Sequence, residues 1–325
     1  MSHITFEDKT FELKEGGSVL EGLERNGVAM PSSCRNGVCQ TCLMRAMAGT
    51  PPKVAQNGLK ETLRAQNYFL SCACRPVEDL TVARAGEEVS PPIEATVIAK
   101  EALNSDIYRF LLLPDAPFDY RAGQFLHLHR PDGLIRSYSL ASVPTLENTL
   151  ELHVRLLKGG AMTSWLIDEV QVGEKITVSG PAGNCFYVDG KQEQNILLIG
   201  TGSGLAPLWG ILRDALEHGH SGNVTLYHGS WTPEGLYLVE DLQRLAQGYP
   251  QLRYVPCVDT DPLPGYEQGQ VHRIALGQNP NLKGWRVYLC GHPSMVATAK
   301  RQAYLAGASL GDIYADPFVL STPAS

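Results

Sequence analysis

The sequence predicts a multidomain protein: an α+β domain at residues 1–90, an antiparallel β-barrel at 93–190 and a parallel α/β domain at 191–325. Three observations carry this reading. A cysteine-bearing loop, Pro31 to Cys42, follows a short strand pair and a helical pattern. From Ile93, short β-branched and apolar runs recur between Gly, Pro and Asp turns, as in an antiparallel barrel. From Asn195, a continuous apolar run opens an alternation of strand and helix, as in a buried parallel sheet. At 325 residues and 43% hydrophobic, the chain has ample core for all three. Its net charge is −7 and no basic block is long enough to suggest nucleic acid. The N-terminus lacks an apolar signal region, and glycines and Pro207 interrupt the apolar stretch at 196–212. Neither a signal peptide nor a membrane span is therefore expected.

In the first domain, Ile4 to Phe6 and Thr10 to Leu13 read as a hairpin around Glu7-Asp8-Lys9. Val19, Leu20, Leu23 and Val28 give helical spacing after Ser18, a residue suited to an N-cap. Cys34, Cys39 and Cys42 are then spaced C-x4-C-x2-C, and Cys72 follows after 29 residues. Four thiolates at this spacing suit a [2Fe-2S] cluster, and Gly37 permits a loop tight enough to turn N–H groups toward the sulfurs. Zinc is the rival, but its sites usually pair two C-x2-C knuckles, and here only Cys39 and Cys42 stand two apart. The stretch resembles the plant-type ferredoxin domain over residues 1–90, which implies a β-grasp fold. Cys74 stands beside Cys72 as an alternative fourth ligand; the family pattern favours Cys72, with Cys74 packed behind it. Arg35, Arg45, Arg64 and Arg75 are either solvated side chains or a docking face for an acidic surface. The four cysteines outside this set, Cys74, Cys185, Cys257 and Cys290, are scattered, and a reducing cytoplasm fits them better than a disulfide framework.

Arg84 to Pro92 has linker composition. Beyond it the strand runs are Ala95–Ala99, Tyr108–Leu113, Phe125–His129, Leu150–Leu157 and Ile176–Val178. Arg136-Ser-Tyr-Ser139 lies between Gly123-Gln124-Phe125 and Gly159-Gly160-Ala161-Met162-Thr163-Ser164. Together these resemble the ferredoxin-NADP reductase superfamily, whose flavin signature is R-x-Y-S followed by a G-G-x-x-S/T segment opening a helix. The resemblance implies a flavin, with Arg136 on a phosphate, Tyr138 stacked on the isoalloxazine and Ser139 near its reactive nitrogen, chemistry that these side chains suit. It also implies FAD rather than FMN, because Gly160, Met162, Thr163 and Ser164 add a second phosphate contact. Ala161 to Val170 reads as the helix.

The run Ile196–Ile199 ends at Gly200-Thr201-Gly202-Ser-Gly204-Leu-Ala-Pro207, and Leu205, Leu208, Trp209, Leu212 and Leu216 follow at helical spacing. Such a turn serves either steric needs or the close approach of a pyrophosphate. The G-x-G-x-G-x-A-P pattern is similar to the Rossmann-like nicotinamide domain of the same superfamily. Val287-Tyr-Leu-Cys290-Gly291-His-Pro-Ser-Met295 resembles its C-G-x-P-x-M segment, which implies Cys290 and Gly291 beside the nicotinamide. Cys290 also reads as a small packing residue. In Tyr314-Ala-Asp316-Pro-Phe318-Val, Phe318 stands where relatives place an aromatic over the flavin; seven residues follow it.

The order ferredoxin, flavin barrel, nicotinamide domain resembles the reductase components of bacterial multicomponent oxygenases and of deoxysugar-forming dehydratases. A nicotinamide gives two electrons as one hydride and a [2Fe-2S] cluster takes one, so a flavin stands between them. The implied path is NADH to FAD to cluster, then out to a terminal oxygenase or dehydratase, with Ser139, Cys290 and Phe318 at the reacting centre. NADH is expected over NADPH because Gly229 to Glu234, near the adenosine ribose in relatives, offers no Lys or Arg to a 2′-phosphate. The alternatives are a self-contained NAD(P)H reductase of small acceptors such as free flavin or ferric chelates, and a redox-sensing cluster protein.

Overall fold

The computed structural model describes residues 2–86 and 91–319. The chain divides into two compact units, residues 1–89 and 90–325. Of the linker expected at Arg84 to Pro92, residues 87–90 lie outside the described residues.

In the first unit, β1 (His3–Phe6) and β2 (Lys9–Glu12) form the expected hairpin. Its turn is two residues long, because Glu7 and Asp8 both adopt positive φ, 48° and 61°. That geometry matches the twist of the flanking strands and leaves Lys9 in β2. Helix α1 (Val19–Arg25) starts where Ser18 Oγ accepts from the Glu21 N–H at 3.2 Å and Glu21 Oε2 accepts from the Ser18 N–H at 2.9 Å. This reciprocal cap satisfies two end donors. The helix stops at Asn26 and Gly27, so Val28 lies beyond it yet still packs on the same core. After β3 (Leu43–Ala48), the short helix α2 (Glu61–Arg64), β4 (Tyr68–Leu70) and β5 (Leu80–Arg84), the sheet order is β2-β1-β5-β3-β4, with β1 and β5 parallel. Ile4, Phe6, Leu20, Leu23, Met44 and Phe69 fill the space between sheet and α1.

The second unit opens with β6 (Ile93–Ala102), β7 (Ile107–Pro114), β8 (Phe125–His129), β9 (Ile135–Ser139), β10 (Leu150–Arg155) and β11 (Lys175–Ala182). They pair antiparallel in the order β10-β7-β6-β11-β8-β9. Leu140 bridges Leu152 and the Ala141 N–H reaches Glu151 O at 2.8 Å, which closes the barrel. Strand β9 is the one that hydropathy does not mark, since Ile135 and Ser137 are exposed and only Ser139 is buried. The helix expected over Ala161–Val170 is instead α3 (Ala161–Ser164) and a π-type turn over Trp165–Glu169. Met162, Leu166 and Val170 are all buried in the barrel core at four-residue spacing. Residues four and eight apart fall on one face of a helix, so this face is the one turned to the core.

The remaining elements are β12 (Ile196–Thr201), α4 (Leu205–Glu217), β13 (Val224–Ser230), α5 (Val239–Gly248), β14 (Leu252–Val258), β15 (Glu267–Gln268), α6 (Val271–Gln278), β16 (Arg286–Gly291), α7 (Pro293–Leu305) and β17 (Ile313–Pro317). All six strands are parallel, in the order β15-β14-β13-β12-β16-β17. The direction of travel reverses between β12 and β16, and in such sheets that reversal opens a crevice at the carboxyl ends of the strands. One core joins Ile107, Cys185 and Tyr187 to Ile196, Leu208, Ile211 and Tyr288, so barrel and parallel sheet pack as a single unit.

Candidate functional site

The cysteine loop of the first unit is shaped by backbone conformation. Arg35, Gly37 and Gln40 take positive φ, which turns successive N–H groups to one side. Asn36 and Cys39 donate to Cys34 Sγ at 3.4 and 3.3 Å, and Cys34 donates back to Cys39 Sγ at 3.5 Å. Cys42 and Cys72 form a second pair, with sulfurs 3.3 Å apart. A [2Fe-2S] cluster asks for two thiolates on each of two irons, with N–H donors to offset their charge, and these four residues fit it. The Thr41 hydroxyl, followed by the backbone at Cys34, lowers the Cys39 thiol to about 6. Burial, reinforced by the hydrogen bond with Cys42, raises Cys72 to about 11. Cys74 is fully buried in the apolar core and burial alone lifts it to about 12. The four arginines are all engaged within their own unit. Arg35 meets Glu24 through two bonds, Arg45 holds Gln66 O, Arg64 faces Glu61 at 3.8 Å and Arg75 holds Gly16 O.

In the second unit, Ser139 and Cys290, from separate sheets, come together at one half-buried acid, Asp316. Ser139 ends β9 nearly buried, and its Oγ donates to Asp316 Oδ2 at 3.3 Å. Asp316 lies on β17 in register with Cys290 on β16, and burial raises its carboxyl above the ordinary range, partly offset by the Ser139 hydroxyl. The Cys290 thiol is wholly buried, 4.0 Å from that of Cys185, and burial holds it protonated. The Phe318 N–H reaches Gly291 O at 2.8 Å, which places this residue at the end of the same strands. Sequence reasoning left Asp316 without a role. Its signal was an acid inside the apolar strand pattern Ile313 to Pro317, where only a satisfied or functional carboxyl persists.

On β9, Tyr138 is half-buried against the barrel core, and Arg136 is half-exposed with one nitrogen on Ile135 O. At the start of α3, a Cβ on Gly160 would come within 2.5 Å of Thr163 Oγ1 and 2.9 Å of Leu157 Cβ, so only glycine fits. Thr163 Oγ1 donates to Gly160 O and accepts the Leu157 N–H, committing that hydroxyl to the turn. Met162 is buried in the barrel and Ser164 half-buried. Arg130, absent from the sequence reading, is held by Asp132 and donates to Ala161 O at 2.8 Å, adding a cation at this turn.

Across the crevice, β12 leads through Gly200 and Thr201 into Gly202–Gly204 and α4, with Pro207 buried in the first turn of α4. A Cβ on Gly204 would lie 2.5 Å from Cys290 O and 2.6 Å from Gly291 Cα, so the glycine turn touches the Cys290 segment directly. Thr201 Oγ1 accepts the His292 N–H at 3.1 Å. Arg155, at the end of β10, pairs with Asp106 at 2.8 Å, and a Cβ on Gly202 would stand 3.4 Å from its Nη1. Its guanidinium therefore lies beside the glycine turn. Arg155→Ala is expected to raise KM for the reduced nicotinamide about tenfold with flavin content unchanged, by steady-state kinetics. An unchanged KM would remove Arg155 from the site.

A loop of paired thiols, a barrel with an R-x-Y-S strand end and a parallel sheet with a glycine turn at its switch point together define an iron–sulfur flavoprotein reductase. Residues 3–77 match the family model for a 2Fe-2S iron-sulfur cluster binding domain, 94–187 an oxidoreductase FAD-binding domain, and 198–301 an oxidoreductase NAD-binding domain. The chain is 35% identical over 297 residues to the reductase subunit of an aromatic O-demethylase from Amycolatopsis sp., covering 88% of this chain and 89% of the relative. It is 34% identical over 310 residues to the ferredoxin–NAD(P)+ reductase component of a Pseudomonas putida naphthalene 1,2-dioxygenase system, covering 93% and 94%. Among solved structures, the Amycolatopsis cytochrome P450 reductase GcoB matches at a TM-score of 0.68 and 32% identity, over 98% of this chain and 99% of that one. The chain belongs to the ferredoxin reductase superfamily, in the branch with an N-terminal 2Fe-2S domain. It is an oxidoreductase that uses NAD(P)H, FAD and a [2Fe-2S] cluster. Among the described residues no helix is long and apolar enough to cross a membrane.

Proposed function

We propose that this protein is the reductase component of an oxygenase system, taking electrons from NADH and delivering them singly to a separate terminal oxygenase; a dehydratase is the second candidate acceptor. The observation that carries the proposal is the joining, in one chain, of two thiol pairs in a loop with the Ser139–Asp316 contact at the Cys290 crevice. The relatives named as reductase subunits or components of demethylase and dioxygenase systems support the choice of partner. When bound, the nicotinamide supplies a hydride, the flavin divides the electron pair and the cluster carries single electrons outward.

The chain's own residues do the rest. Cys34, Cys39, Cys42 and Cys72 hold the irons, and Cys74 packs behind them. Arg136 neutralises flavin phosphate, joined by the turn at Gly160, Met162, Thr163 and Ser164. Tyr138 would stack on the ring, and Ser139, its hydroxyl proton held by Asp316, would turn the oxygen's free lone pairs to the reacting edge. Gly200, Thr201, Gly202, Gly204 and Pro207 shape the turn for the nicotinamide dinucleotide, with Cys290 and Gly291 at its ring and Phe318 beside them. The four cysteines outside the cluster set, Cys74, Cys185, Cys257 and Cys290, are buried and in no disulfide, which suits a reducing cytoplasm.

Two measurements test this reading. Acid-released flavin should elute as FAD, and an FMN peak sinks the assignment of the α3 turn. The purified protein should reduce free flavin or ferric chelates slowly and its oxygenase partner quickly; physiological turnover with no second protein would favour the self-contained reductase.

A further inference from the structure

The carboxyl end of β13 carries a side chain that the electron path does not use. Trp231 follows Ser230 directly and is 68% exposed, the most exposed aromatic of the second unit among the described residues. Its backbone is nevertheless tied down. Trp231 O accepts both the N–H and the hydroxyl of Thr260, at 3.0 and 3.2 Å, and Ser230 O accepts the Asp259 N–H at 3.2 Å. An indole on a fixed base in water is a flat apolar face waiting for another ring.

Its place in the sheet says which ring. Thr201, at the glycine turn, is in register with Gly229 on the adjacent β13. Neighbouring strands lie about 4.8 Å apart and each residue advances about 3.3 Å, so Trp231 stands about 8 Å from Thr201 along the same edge. A dinucleotide whose pyrophosphate rests on the Gly202 turn therefore carries its adenosine toward Trp231, since the second strand's end is where the ribose lies in a doubly wound sheet. Among the described residues, the two arginines that follow next in sequence are both engaged. Arg244 is paired with Asp241, Arg253 bonds Gln278 Oε1, and Glu234 is ionised, held low chiefly by the Thr232 hydroxyl.

We infer that Trp231 is the adenine platform of the nicotinamide site, recognising an adenine dinucleotide by stacking and leaving a 2′-phosphate without a counter-charge; this rests on the proposed use of NADH. The test uses full-length holoenzyme, ADP-ribose and NMN as probes in calorimetric titrations, and NADH and NADPH as substrates. Trp231→Ala should weaken ADP-ribose about tenfold, leave NMN unchanged and raise KM for NADH about tenfold at constant kcat. Trp231→Phe should restore most of the affinity, because a phenyl face still stacks. ADP-ribose should also quench wild-type indole fluorescence, and this component should be missing in both variants. Unchanged ADP-ribose affinity in Trp231→Ala, with NADH still reducing the flavin, overturns the platform alone. Equal catalytic efficiency of wild type with NADH and NADPH overturns the selectivity. A wild-type protein that takes no electrons from NADH overturns the reading beneath it.

Discussion

A fragment of residues 91–325 will oxidise NADH with ferricyanide at about the rate of the full chain but will lose roughly hundredfold or more with cytochrome c or the native partner. The second unit contains the whole Ser139, Asp316 and Cys290 site and the glycine turn, and it is a compact body with its own cores. Ferricyanide is small enough to meet the flavin directly, whereas a protein acceptor is served through the first unit. Cys72→Ser in the full chain should reproduce this loss, because it removes one member of the Cys42–Cys72 pair. Cys74→Ala should keep the visible absorption of the cluster, since its thiol lies at 0% exposure in the apolar core. A smaller side chain there costs stability, about 1 kcal/mol, without touching the irons. Bleaching by Cys74→Ala with an intact spectrum in Cys72→Ser would reverse the ligand assignment, and full partner turnover by the fragment would remove the cluster from the exit path.

Asp316→Asn will slow flavin reduction by NADH about hundredfold while FAD stays bound, and Ser139→Ala will do the same. The 3.3 Å contact makes the carboxylate the acceptor that directs the Ser139 hydroxyl, and an amide can turn its donor side to the same oxygen. Stopped-flow absorbance separates this step from later transfer. Stability should move the other way. Burial raises the Asp316 carboxyl above its unfolded value. Its contribution is therefore whole below that value, about 3.9, and is lost as pH rises through the folded one. The asparagine escapes the loss, so the variant should melt higher than the parent at pH 8, with a margin that narrows toward pH 5. Parent-like flavin reduction in Asp316→Asn would make this residue a strand acid and nothing more.

Much of the cofactor order was legible because each group imposes a local pattern. Thiolates must come from a tight loop, hence C-x4-C-x2-C, and a pyrophosphate needs a side-chain-free turn after a strand, hence Gly200 to Gly204. Ser18 likewise announced its helix, since an N-cap acts within one turn of the chain; the reciprocal bond from Glu21 was added by the structure. The winding at Trp165–Glu169 was not legible, because the barrel end that buries Met162, Leu166 and Val170 is built by distant strands.

The sequence by itself therefore determined which cofactors this protein carries and in what order, since each group's signature, such as Cys34 to Cys42 or Gly200 to Gly204, is a short run along the chain. Tertiary structure alone decided that Ser139 meets Asp316 across 177 positions, that Arg155 stands beside Gly202, that Arg35, Arg45 and Arg75 are already engaged, and that Trp231 is left facing water. Each is a contact, or a lack of one, between groups that are not neighbours in sequence. Only the closure of the barrel and the reversal of strand order between β12 and β16 bring those positions to one edge.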